Sequence, residues 1–276
     1  MFEFISDSSA KLSKVVISYS GIKFSEFSKL LKNKDIKVNG KRTSSDLSLS
    51  VGDVITVYAD LGQTTPKKSH DVLYEDDNVL VVDKYKGVNS DTLYNELSSK
   101  GELYYVHRLD LNTDGVMIFA KNTVAEAELK NGFKDRTFDK LYLALVYGFF
   151  DKKEELLSDY LIKDKDSSTV KIIRNQTRSA LPVKTHYTVL KTGQETSLLR
   201  VNLLTGRTHQ IRAHLAFYGH FIVGDGKYGV EEINRRLKVK KQQLSSYSLT
   251  LHFSDNSPLK YLDNKTFTVD KKINVY

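Results

Sequence analysis

Cysteine is absent from the chain and proline occurs only three times. Without cysteine there are no disulfides and no thiolate metal sites, which fits a reducing cytoplasm. Long apolar runs are missing as well. The longest, LALVYGFF, is far too short to span a bilayer as a helix. The opening residues, MFEFISDSSAKL, lack the basic start and apolar stretch of a signal peptide. These absences lead us to expect a soluble, cytoplasmic protein with no membrane partner.

What is present supports a folded chain. Of 276 residues, 40% are hydrophobic and 28% charged, enough for a core and against global disorder. The length suits one large domain or two. The formal net charge is +8. A basic balance of this size favours a polyanionic partner, because neutralised phosphates release counterions.

The stretch DLGQTTPKKSHD, from Asp60 to Asp71, is polar and carries one proline between apolar segments. It is the expected linker, dividing the chain into residues 1–60, a linker at 61–71, and residues 72–276. In the first unit, FSEFSKLLKNKD predicts a helix with Phe24, Phe27, Leu30 and Leu31 on one face. IKVNGKR then alternates around Asn39-Gly40, a hairpin signal, and SVGDVITVYA predicts a strand. Between Lys23 and Arg42 lie seven Lys or Arg and two acids. The ordinary explanation of such a run is a solvated basic face. The order of elements nevertheless resembles the RNA-binding module first recognised in ribosomal small-subunit protein S-four: a basic helix, a basic pair, a VNG hairpin and a late GDVI strand. That resemblance implies that Lys29, Lys32, Lys34, Lys41 and Arg42 contact RNA.

The second unit alternates strands with helices. NVLVVDK, VMIFAK, LYLALVYGFF, VKTHYTVL, SLLRVNLL and YSLTLHF predict strands. TVAEAELKNGFKDR and RTHQIRAHLAFYG predict helices, the latter with Ile211, Leu215 and Tyr218 at helical spacing. The pattern suggests an α+β domain around a large, mixed and mostly antiparallel sheet.

Within it, HRLDLNTDG (His107 to Gly115) poses a choice. Asp110, Asn112, Asp114 and Gly115 match the first half of an EF-hand calcium loop. The loop's twelfth position, counted from Asp110, requires a bidentate glutamate and holds Lys121 instead. The flanks ELYYV and VMIFA are β-like where an EF-hand has helices. A glycosidase-like pairing of Asp110 with Asp114 is the other acid reading, but nothing else in the chain suggests sugar recognition. His209, His214 and His220, at spacings of five and six residues, do not share one helical face, and no acid pattern completes a zinc site. We expect no metal.

The run YYVHRLDLNTDGVMIFAKN resembles the catalytic motif of the RluA-type RNA pseudouridine synthases, HRLD followed by TSG and an apolar strand. Two further segments follow in the family's order. DKLYLALVYG matches at Lys140, Tyr142, Ala144, Val146 and Gly148. TGRTHQIRAHLAFYGHFIVGDGKYG matches at Arg207, His209, Gln210, Arg212, His214, Gly219, His220, Gly224, Asp225 and Tyr228. The chain departs from the pattern at Asp114, where the family has serine, at Phe221, where it has proline, and at Tyr85-Lys86, which replace a Pro-Ala pair.

The resemblance implies a pseudouridine synthase fold and an isomerase that detaches uracil from its sugar nitrogen bond and reattaches it through carbon. No redox step, metal or cofactor is needed. The chemistry requires a carboxylate at the sugar, a cradle for the base and exclusion of water. Asp110 is implied as nucleophile or base, Arg212 as the guanidinium that favours its charged form, and Tyr142 as a ring stacked on the target base. The base must be flipped out of its stack, and Arg108 beside Asp110 is the candidate to fill the gap or hold a phosphate. Without the motif, Tyr142 would be a core aromatic, Arg212 a helix-surface arginine and Arg108 one half of a salt bridge. His107 is expected to be structural. Lys140, Arg207 and Gln210 complete the expected RNA contacts, whereas the basic run Arg235 to Lys241 is treated as a solvated helix face. Large-subunit (23S) ribosomal RNA is the expected substrate of a monomeric enzyme. Transfer RNA, or a non-catalytic RNA-binding role in ribosome assembly, is the alternative.

Overall fold

A computed structural model describes residues 2–6, 9–22, 24–58, 68–164, 169–271 and 273–276. It divides into two units, Met1–Lys67 and Lys68–Tyr276. Residues 61–67 of the expected linker lie outside the described residues, while His70 and Asp71 already belong to a strand.

The first unit runs β1 (Phe2–Ile5), α1 (Leu12–Ser20), α2 (Phe24–Lys32), β2 (Ile36–Val38), β3 (Lys41–Thr43) and β4 (Val54–Val57). Its sheet has the order β1-β4-β2-β3. Asn39 and Gly40 join β2 to β3 with φ of 50° and 78°, the left-handed pair that a tight hairpin requires. The α2 face is narrower than its sequence pattern. Phe27 and Leu31 are buried, but Phe24, at the helix start, is 63% exposed. As the first residue of the helix it lies at the border of the small core, its ring tilted against that of Phe27 with centroids 6.1 Å apart.

The second unit is built on an eleven-stranded sheet. In chain order its elements are β5 (His70–Glu75), β6 (Val79–Lys84), α3 (Ser90–Ser98), β7 (Tyr104–Tyr105), β8 (Asp114–Ala120), α4 (Thr123–Asp135), β9 (Asp139–Tyr147), β10 (Glu154–Lys163), β11 (Val170–Ile173), β12 (Leu181–Thr192), β13 (Thr196–Leu203), α5 (Gln210–Phe217), α6 (Glu231–Arg236), β14 (Leu244–Thr250) and β15 (Thr266–Thr268). The main path is β11-β10-β12-β13-β9-β14-β8-β6-β5. The pairing of β14 with β8 is parallel and its neighbours along the path are antiparallel, so the sheet is mixed and mostly antiparallel.

Alternation places two cores on the two faces of β6, β8 and their neighbours. Val82, Met117, Phe119 and Val201 join Leu93 and Leu97 of α3 in one core. Val81, Ile118 and Leu249 join Ala125 and Leu129 of α4 in the other. Each fully buried Leu, Val or Met side chain contributes roughly 1.5–3 kcal/mol. Asn89 and Asn122 cap α3 and α4 by accepting hydrogen bonds from their first-turn amides. The sheet's parallel join needs a glycine. A Cβ on Gly115, whose φ is 116°, would sit 2.0 Å from the Ser246 carbonyl oxygen of β14. No helix among the described residues is long and apolar enough to cross a membrane.

Candidate active site

Asp110 lies in the loop between β7 and β8, directly before the parallel join of β8 to β14. Arg212, on α5, donates from Nη1 to Asp110 Oδ2 at 2.9 Å. The same guanidinium donates from Nε and Nη2 to Asp225 at 2.6 and 3.0 Å. Asp225 is itself fixed by the amides of Lys227 and Tyr228. Burial alone would lower the Arg212 pKa, but the hydrogen bonds and charge of Asp225, then of Asp110, outweigh it and raise the pKa. Burial pushes the Asp225 carboxyl upward, and the Arg212 guanidinium together with the two amides brings it below the usual carboxylate value. The result is a charged, buried, three-part ion network with its open end at Asp110, whose side chain keeps 25% exposure.

Tyr142, on β9, lies directly across from Ser246 of β14 and Val201 of β13. It is 8% exposed, and burial, with the charge of Asp110 adding to it, drives its hydroxyl up to about 12. It therefore keeps its proton at neutral pH. Asp110, Tyr142 and Arg212 line one cleft of about 570 Å³. Arg108, Lys140 and Arg207 line it too. Arg108 is exposed. The Nε of Arg207 is buried without a hydrogen-bond partner among the described residues. Burial lowers the Lys140 pKa, with Arg136 acting in the same direction.

Gln210, one of the expected RNA contacts, also borders the cleft, but its side chain is turned inward. It is 2% exposed. Its Oε1 accepts from Thr205 Oγ1 and the Arg207 amide, and its Nε2 donates to the Lys184 carbonyl and Thr185 Oγ1. With all four capacities used inside the protein, Gln210 braces the Thr205–Arg207 turn.

The histidines have separate partners. His107 Nε2 accepts from the Ile118 amide, and its ring stacks on Phe133 at 4.4 Å. Burial, with the charge of Lys140 adding to it, drives its pKa down to about 3, so the ring is neutral at neutral pH where it lines the cleft. His209, left-handed at φ 54°, meets Tyr228 Oη at 3.0 Å and approaches Asp110 to 3.8 Å. Burial lowers its pKa despite Asp110. His214 lies between Thr185 and Asp159, and His220 stacks on Phe150. Asp110 and Asp114 likewise face different partners, with Asp114 turned to Lys86 and Lys271.

Sequence reasoning matched Asp225 to a motif without giving it a role, and it missed Phe133, Lys134 and Arg136 at the cleft wall. Arg136 ends α4 in the left-handed region at φ 61°, where glycine is usual. That irregularity was invisible in the helical pattern of α4. The basic residues of the first unit, Lys29, Lys32, Lys34, Lys41 and Arg42, are all exposed. Arg42 and Lys37 lie over the Tyr58 ring at 5.1 and 4.9 Å.

Comparison with known proteins identifies the family. Residues 67–217 match the RNA pseudouridylate synthase family. The chain is 29% identical over 249 residues to the ribosomal large subunit pseudouridine synthase C of Vibrio cholerae, covering 81% of this chain and 76% of that one. It is 33% identical over 201 residues to the dual-specificity RNA pseudouridine synthase RluA of Vibrio parahaemolyticus, covering 66% and 80%. Among solved structures, human RNA Pseudouridylate Synthase Domain Containing 1 superposes with a TM-score of 0.60 at 29% identity, over 67% of this chain and 80% of that one. The chain belongs to the RNA pseudouridylate synthase family, in its RluA branch, and is an RNA pseudouridine synthase.

Proposed function

We propose that the enzyme isomerises uridines in large-subunit ribosomal RNA, with Asp110 acting at the ribose of a flipped-out nucleotide. The observation that carries this reading is the ion network. Asp110 reaches the cleft with its carboxylate 2.9 Å from a guanidinium that buried Asp225 holds from behind. A carboxylate so placed can attack the anomeric carbon or take a proton from the sugar. In either route the bond from C1′ to N1 breaks and a bond from C1′ to C5 forms. The C5 proton then leaves and N1 is protonated, so nothing is oxidised.

Tyr142 lies under the base in this reading and orients it with its ring. A hydroxyl whose pKa is near 12 donates a hydrogen bond rather than serving as a resting base. Arg108 occupies the space of the extruded base or takes a phosphate. Lys140 and Arg207 hold flanking phosphates. The first unit serves as an S-four-like RNA-binding module. Its support is the exposed basic set of Lys29, Lys32, Lys34, Lys41 and Arg42 around the Asn39-Gly40 hairpin. The name of the Vibrio cholerae relative favours large-subunit RNA, and that of the dual-specificity relative keeps transfer RNA in the test.

The deciding experiment maps pseudouridine in ribosomal and transfer RNA from cells carrying the parent chain or Asp110→Asn. The parent should modify defined uridines of large-subunit RNA, and the variant none. Pseudouridine only in transfer RNA would move the substrate, and full activity of Asp110→Asn would remove the assigned role. Deleting residues 1–60 should weaken RNA affinity and its salt dependence while the second unit stays folded. Unchanged binding would remove the module assignment.

A further inference from the structure

We infer that Asp114, Lys86 and Lys271 form a charge clasp that fixes the loop carrying Asp110, which makes Asp114 and Lys86 positioning residues for the reaction. The role of the loop rests on the reading of Asp110 given above. Lys86 Nζ lies 3.6 Å from Asp114 Oδ1, and Lys271 Nζ lies 3.4 Å from Asp114 Oδ2. The Asp114 side chain is only 15% exposed. Its Oδ1 is buried without a hydrogen bond among the described residues, so the lysine charges offset its burial. Lys271 is anchored in turn by Asp83, at 2.7 and 3.0 Å.

The clasp reaches Asp110 through short links. Lys86 Nζ donates to the Gln242 carbonyl at 2.6 Å. Gln242 Nε2 donates to Thr113 Oγ1 at 3.0 Å, and the Thr113 amide donates to the Asp110 carbonyl at 3.0 Å. On the other side, the Gly87 amide donates to the Leu111 carbonyl at 2.8 Å. Lys86 and its neighbour therefore hold the loop at Leu111, Thr113 and Asp114.

Two of the departures from the family pattern, Asp114 and Lys86, thus meet each other in space. Either alone would leave a largely buried charge short of its partner. Together they compensate, and the loop keeps its place. Reaction geometry is sensitive to small displacements, so losing one partner should act on turnover more than on RNA binding.

The test is a double-mutant cycle with Lys86→Ala, Asp114→Ser and the pair, assayed on an unmodified transcript of large-subunit ribosomal RNA. Hydrogen exchange of the peptide covering residues 107–116 is measured in parallel. Each single variant should lose about tenfold or more in kcat with KM within about twofold, and its loop should exchange faster. The pair should lose no more in kcat, and its loop should exchange no faster, than the worse single variant, because both changes remove the same contact. Losses that multiply in the pair, or single variants with parental kcat and exchange, overturn the clasp. Lys271→Ala, at a side chain 19% exposed, covers the case in which a single variant fails to fold, and it should raise loop exchange and lower kcat in the same way. If the parent makes no pseudouridine, the proposed function fails, and the exchange data alone then decide the clasp.

Discussion

Arg212 gives Nε and Nη2 to Asp225, at 2.6 and 3.0 Å, and so spends most of its hydrogen-bonding fork on a residue that never meets solvent. Nη1, on the other side of the fork, reaches Asp110. The guanidinium is thereby fixed from behind, and the Asp110 carboxylate inherits that position. A lysine has one charged nitrogen and cannot serve both carboxylates with this geometry. Arg212→Lys should lower kcat by about a hundredfold or more. Arg212→Ala also leaves Asp225 buried without its cation and should cost about 3–5 kcal/mol in urea unfolding. A denaturation midpoint equal to the parent's would contradict this account.

The same pair sets a pH dependence. The Asp225 pKa is lower in the folded protein than in the unfolded chain, where a carboxylate titrates near about 3.9. As acid is added, the unfolded chain takes up its proton first. The stabilisation is therefore full above that value and is lost as pH falls through the folded pKa. Asp225→Asn should be less stable at neutral pH and should show a shallower loss of stability on acidification. An acid limb as steep as the parent's would contradict the pairing.

His107 follows the same sign for a different reason. Burial lowers its pKa from the ordinary 6.5 to about 3, so the folded protein holds it neutral. Its contribution is present above about 6.5 and declines as pH falls toward about 3. In an NMR titration its ring signals should stay fixed between about pH 5 and 8, where an unperturbed histidine moves. A midpoint near 6.5 would return His107 to the candidates for acid–base chemistry.

Arg207 offers a buried Nε with no partner among the described residues, at the wall of the cleft. Arg207→Ala should weaken RNA binding and reduce the slope of log affinity against log salt by about 0.7 if one single-strand phosphate contact is lost. Circular dichroism should match the parent's. Affinity lost without a change in slope would mean that Arg207 acts on local packing instead.

The sequence by itself determined many of the local elements and the family to which the motifs belong. Strands β6, β8, β9, β12, β13 and β14 lie where apolar patterning placed them, and Asn39-Gly40 makes its turn. Lys121 together with the β-like flanks set the calcium loop aside. Strand β10 was missed, because Asp159 sits at an inward position of its alternation. Only the fold reveals that Asp159 is satisfied there by His214 and Tyr218. The tertiary structure alone decided that Arg212 meets Asp110 across 102 positions of chain, that Gln210 turns inward, that Phe24 stays outside its core, and that Asp114 and Lys86 are partners. Hydrophobic period and turn chemistry act between near neighbours and are written in order along the chain. Ion pairing and burial depend on which distant side chains the sheet brings within a few ångströms, and no local pattern carries that information.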